Sequence, residues 1–101
     1  MNDEPIVRTR DPDGREVLFD TSARSHLRVR RPDLLQYVDV ILATVSLPDH
    51  RTLDPERGRE RFYRQSILDR RRWLRVVLDF NAVPGRIVTV LVQTSDPREA
   101  R

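Results

Sequence analysis

Three apolar-rich runs crowd the second half of this chain, Arg59–Leu68, Trp73–Phe80 and Arg86–Thr94, and only a few residues separate each from the next. Strand-length segments joined so tightly have one economical arrangement, antiparallel neighbours in a meander. The joints agree with it. Arg70-Arg71-Arg72 makes a short charged turn, and in Val83-Pro84-Gly85 the proline fixes φ while the glycine tolerates any φ. Within Trp73–Phe80, alternation puts Leu74, Val76, Leu78 and Phe80 on a core face and Trp73, Arg75, Val77 and Asp79 on the other. Ile87–Val92 is almost wholly apolar, as expected of a central strand covered on both faces. In Arg59–Leu68, Arg61, Tyr63 and Gln65 alternate with Phe62, Arg64 and Ser66. Each set holds one aromatic and an arginine, so the pattern leaves open which face is covered.

Upstream, Leu34, Leu35, Val38, Ile41, Leu42 and Val45 recur at helical spacing. This predicts a helix over Asp33–Val45, capped by Asp33 and closed before Pro48. Thr21-Ser22 opens a shorter helix that runs to about Arg30 and is broken by Arg31-Pro32-Asp33. Asp11-Pro12-Asp13-Gly14 is a turn between two short strands, Ile6–Arg10 and Arg15–Asp20. Leu47–Gly58, with two prolines, two aspartates, a histidine and a glycine, reads as a loop. The fold class is therefore α+β: an N-terminal β-hairpin and two helices packed on a C-terminal antiparallel β-meander. Residues 15–94 form one domain, 1–14 a polar N-terminal segment with its short strand, frayed at Met1–Glu4, and 95–101 a polar tail.

A length of 101 residues supports one modest core. No cysteine is present, which excludes disulfides and thiolate metal sites and fits a cytoplasmic setting. No apolar run approaches the roughly 20 residues that span a bilayer, and the N-terminus carries no apolar leader. The three glycines stand singly, so no phosphate-cradling cofactor loop is expected, and neither a metal cluster nor a cofactor site stands out.

The net charge of +3 hides an uneven distribution. From Arg57 to Arg75 there are eight arginines against two acids, Glu60 and Asp69, an excess of six positive charges. Lysine is absent, and a GC-rich genome explains the choice of arginine over lysine but not the clustering. Arginine on a sheet suits a phosphate backbone, because its planar fork donates to two oxygens at once.

Several short segments, in their order and spacing, resemble the RelE-like ribonuclease superfamily, the group that includes barnase, EndoU and colicin-type nucleases, and within it the small phage- and toxin-associated branch. They are His26-Leu27 with Arg31-Pro32-Asp33-Leu34 five residues after the histidine, Leu47-Pro48-Asp49, Arg61-Phe62-Tyr63-Arg64, Trp73-Leu74-Arg75-Val76-Val77 and Ile87-Val88-Thr89. They fall within about Arg15 to Thr94, most of the chain. The resemblance implies a metal-independent endoribonuclease of toxin type, with RNA as substrate and an antitoxin or immunity protein as partner. One position departs from it: where a second histidine is expected before the Pro-Asp pair, Arg31 stands.

Metal-free RNA cleavage uses the neighbouring 2′-hydroxyl as nucleophile and needs a base, an acid and cations at the phosphate. His26 is the first candidate for acid–base work, sharing a helix face with Ser22 and Arg30. Its plain alternative is an exposed helix histidine. His50, in the expected loop, ranks below it. Tyr63, between Arg61 and Arg64, is an acid or a base-stacking group, or ordinary sheet packing. Arg75 is the foremost phosphate ligand, with Trp73 as a stacking platform. Thr89 and Gln93 are further donors, and Arg30, Arg31, Arg61 and Arg64 are phosphate contacts. Two rivals stand beside the nuclease: a non-catalytic RNA- or protein-binding module on the same fold, and a structural protein whose arginines pair with its own 16 acids.

Overall fold

A computed structural model describes residues 6–65 and 71–99. The order of elements is β1 (Val7–Arg10), β2 (Glu16–Phe19), α1 (Thr21–Arg30), a 3-10 helix (Pro32–Tyr37), α2 (Val38–Ser46), β3 (His50–Leu53), β4 (Arg59–Gln65), β5 (Trp73–Asp79), β6 (Gly85–Gln93) and a short 3-10 turn (Pro97–Glu99). The expected α+β class is what the chain adopts. The expectations on Met1–Glu4, Ser66–Arg70, Ala100 and Arg101 lie outside the described residues.

The meander is present: β4, β5 and β6 pair antiparallel in sequence. It belongs to a larger six-stranded sheet ordered β1-β2-β6-β5-β4-β3. The N-terminal hairpin joins it through a short parallel pairing of β2 with β6, Val17 opposite Gly85 and Leu18 opposite Arg86. A bulge at Val77/Leu78 sets Val77 opposite Thr89 and Leu78 opposite Ile87, leaving Val88 unmatched. The N-terminal segment is thus more than polar: Val7–Arg10 is an edge strand of the domain.

Both helices cover one face of the sheet. Ala23 and Leu27 of α1 and Ile41 and Val45 of α2 pack on Val17, Phe19, Phe62, Val76, Leu78 and Ile87. This settles the ambiguous strand. Phe62 is fully buried on the helix side, so Glu60 and Arg64 share that side, while Arg61, Tyr63 and Gln65 face away. Each buried branched or aromatic side chain of this kind contributes about 1.5–3 kcal/mol. Among the described residues, no helix is long and apolar enough to cross a membrane.

Three local expectations are corrected. Leu47–Gly58 is not all loop, because His50–Leu53 pairs with β4 from His50↔Tyr63 to Leu53↔Glu60. Its polar side chains hid a strand that forms because the outer edge of β4 needs a hydrogen-bonding partner. Asp20, not Thr21-Ser22, caps α1, its carboxylate accepting from the Ala23 N–H at 2.9 Å. Asp33 caps no helix: the run from Pro32 winds as 3-10 to Tyr37 before α2 begins, and the Asp33 carboxylate is taken by Arg31 at 2.8 and 3.1 Å.

One ion cluster shapes the helix-side end of the sheet. Arg15, in the β1–β2 turn, donates to Glu60 on β4 at 2.8 and 3.1 Å and to Asp11 at 2.6 Å. Its guanidinium lies 3.6 Å from the Phe80 ring centroid. Arg51 on β3 bonds Asp13 at 2.8 Å and sits over Phe62. The turn therefore arches across the ends of β6 and β5 to reach β4, which lies three places along the strand order.

Candidate functional site

The face turned away from the helices carries a cross-strand row. The registers set His50 of β3 opposite Tyr63 of β4, and Tyr63 opposite Arg75 of β5. Directly opposed side chains in adjacent strands stand about 4.5–5.5 Å apart at Cβ. The His50 and Tyr63 rings are 6.0 Å apart between centroids. Beside this row the same registers align Thr52, Arg61, Val77 and Thr89. The Thr52 hydroxyl lies 3.4 Å from that of Tyr63, within donating distance.

Thr52, Arg61, Tyr63 and Arg75 of these rows, with Gln93, line a cleft of about 570 Å³ walled by the segment from Ser95 to Glu99; His50 adjoins Tyr63 but is not among the lining residues. That segment is the described part of the expected polar tail. It packs down instead of trailing: Pro97 is buried, and the Arg98 guanidinium lies 5.0 Å from the Trp73 ring centroid. Trp73 is only 3% exposed, so the expected stacking platform is covered.

Most charges around the cleft are already engaged. Arg61 donates to Asp54 at 2.7 Å; that bond, with the Tyr63 hydroxyl adding to it, raises the Arg61 pKa. Burial opposes ionisation of Asp54, but the Glu56 N–H and Arg61 outweigh it and hold the carboxyl below its usual range. Asp96 is likewise held low, chiefly by Arg98, with the His50 ring acting in the same direction. Arg59, from the same arginine-rich stretch, bonds Asp79 at 3.3 Å. Two of the eight arginines of that stretch, Arg59 and Arg61, are thus matched by acids from outside it. Arg75 differs. Its Nε is shielded from solvent and has no acceptor, and the Arg75 side chain makes no hydrogen bond or ion pair among the described residues. A buried donor in that condition costs about 1–3 kcal/mol, which an incoming oxyanion would recover.

The remaining candidates lie elsewhere. His26 is exposed on α1, the helix-side layer, and lines a separate groove of about 130 Å³ with Ser22 and Arg86. Thr89, aligned with Val77 beside the row, also borders a narrow continuation of that groove. The chain therefore does not bring His26 together with Tyr63 and Arg75. Arg30 is exposed one turn beyond His26. Arg31 is tied to Asp33, and Arg64 faces the helix side. Arg86 is not among the residues singled out from the sequence, and His50, placed there in a loop and below His26, lies on a strand whose polar side chains gave no strand pattern. Among the described residues, no group of three His, Cys, Asp or Glu side chains is placed to hold a metal ion. No family model matches the chain, and neither a curated protein nor a solved structure is similar to it.

Proposed function

We propose that the protein is a metal-independent endoribonuclease of toxin type, acting in the cytoplasm and restrained by an antitoxin or immunity protein, with the cleft on the sheet face away from the helices, together with the adjoining His50, as its active site. The observation that carries this reading is the His50–Tyr63–Arg75 row, which sets an acid–base side chain, a hydroxyl and an uncommitted guanidinium on adjacent strands. In the reaction, the 2′-oxygen forms a bond to phosphorus while the bond to the 5′-oxygen breaks. His50 takes the 2′-hydroxyl proton, Tyr63 gives its proton to the leaving 5′-oxygen, and Arg75 binds the non-bridging oxygens as charge builds on them.

The test is cleavage of a labelled RNA by purified protein in EDTA. Products should end in 2′,3′-cyclic phosphate. His50→Ala should lower the rate by about two to four orders of magnitude, the range for losing a positioned acid or base. Arg75→Ala should also impair cleavage. A requirement for a divalent ion, or cleavage that survives His50→Ala and is lost in His26→Ala, contradicts the assignment. A second reading, RNA binding without catalysis, is favoured by Arg31, which stands where the resemblance asks for a histidine and is bound to Asp33. RNA bound and left intact is its signature.

A further inference from the structure

The groove between α1 and β6 has no part in the chemistry proposed for the cleft, yet it is built from donors. Beyond Arg86, the edge of β6 away from β5 has no partner strand among the described residues, and α1 runs beside it. Ser22 and His26 line the groove from the helix, and Arg86 lines it from the strand. Arg30 continues the same helix face one turn, about 5.4 Å, further on. From Thr21 to Arg30 the helix contains no acid, and its last turn carries Arg28 and Arg30. One carboxylate, Asp20, also lines the groove; it is engaged in capping α1 and sits 3.8 Å from Arg86, which keeps half of its side chain exposed.

Extending the nuclease reading, on which it rests, we propose that this groove is a second, non-catalytic contact for the phosphate backbone of single-stranded RNA, holding the strand away from the point of cleavage. The groove offers hydroxyl, imidazole and guanidinium donors in a line. Its apolar floor, Ala23 and Ile87, is buried and leaves no pocket for the aromatic or aliphatic anchor that a protein partner requires. Donors in a row with nothing to read a base edge suit a backbone bound without regard to sequence.

The experiment uses 2′-O-methyl oligouridylates, which bind and are not cut, in two lengths: a dinucleotide, sized for the cleft alone, and a strand of about twelve nucleotides, within the span of single-strand binding sites. Binding is followed by fluorescence anisotropy at several salt concentrations. The double substitution Arg30→Gln with Arg86→Gln should weaken the long strand about tenfold and flatten its log–log salt slope by about 1.4, or 0.7 for each lost phosphate contact. The dinucleotide should bind both proteins alike. A long strand that binds wild type and double variant equally, with the same slope, overturns the groove. A dinucleotide that fails to bind while the long strand keeps its Arg30 and Arg86 dependence overturns the cleft and leaves the groove standing. If neither oligonucleotide binds, both assignments fall.

Discussion

Gly85 is a residue whose small size is used directly. A Cβ placed there would lie 2.6 Å from two carbons of the Phe80 ring and 3.3 Å from the Asp79 carbonyl. The ring has little room to retreat, because Arg15 stacks on it. Gly85→Ala should therefore destabilise the protein by about 1–3 kcal/mol, seen as a lower urea midpoint at unchanged m-value. An unchanged midpoint would mean that Phe80 repacks freely. Individual residues were unevenly legible in sequence. The core positions of β5 were readable, since Leu74, Val76 and Leu78 alternate cleanly and all are buried. His50 was not, because the four residues HRTL carry no apolar alternation. What makes them a strand is the unsatisfied edge of β4, a tertiary fact that no local pattern records.

At the scale of elements, the β1–β2 turn is held to β4 by Arg15 and Glu60. The Glu60 carboxyl is kept below its ordinary range, about 4.5, first by the bond from Arg15 and then by Arg51, against a burial cost in the other direction. Because the folded form binds this proton less tightly than the unfolded chain, the stabilisation is complete above about pH 4.5 and is lost as pH falls through the lowered value. Arg15 is about one-third exposed, so screening limits the contribution to roughly 1 kcal/mol. Glu60→Gln should lose that amount at neutral pH and flatten the stability profile between pH 5 and 3, measured by urea unfolding at each pH. A variant as acid-sensitive as the wild type would assign the acid response to other carboxylates. The helices show the same mixture of local and non-local control. The apolar stripe placed the second helical region well, with Ile41 and Val45 buried. Its first half is 3-10, with Pro32 at the start and Asp33 drawn back to Arg31 in place of capping.

For the whole molecule, the α+β layout and the meander follow from runs and turns that lie close together in sequence. The parallel pairing of β2 with β6 does not, because Val17 and Gly85 are 68 positions apart (85 minus 17) and only two residue pairs join the strands. Dependence on strand register, over shorter separations, accounts for the poor legibility of the candidate site. His50, Tyr63 and Arg75 become a row only when β3, β4 and β5 fall into register. Since β6 lies between β2 and β5, a fragment ending at Ala82 should remain unfolded, with collapsed amide dispersion in its NMR spectrum. A dispersed spectrum would show that β3–β5 and the helices form a unit without it.

The position of β6 has a consequence for a chain made from its N-terminus on a ribosome. Of the six strands, the last to be synthesised is the one that joins the hairpin to the meander. Until Gly85–Gln93 emerges, the hairpin has no partner strand in the rest of the sheet and α1 lacks the strand it lies beside. A nascent chain stopped at Asp79 already contains all three residues of the proposed catalytic row and the strands β3–β5 that carry them, but lacks β6, which pairs with β5 along its length. On the nuclease proposal, activity begins only when β6 completes the sheet.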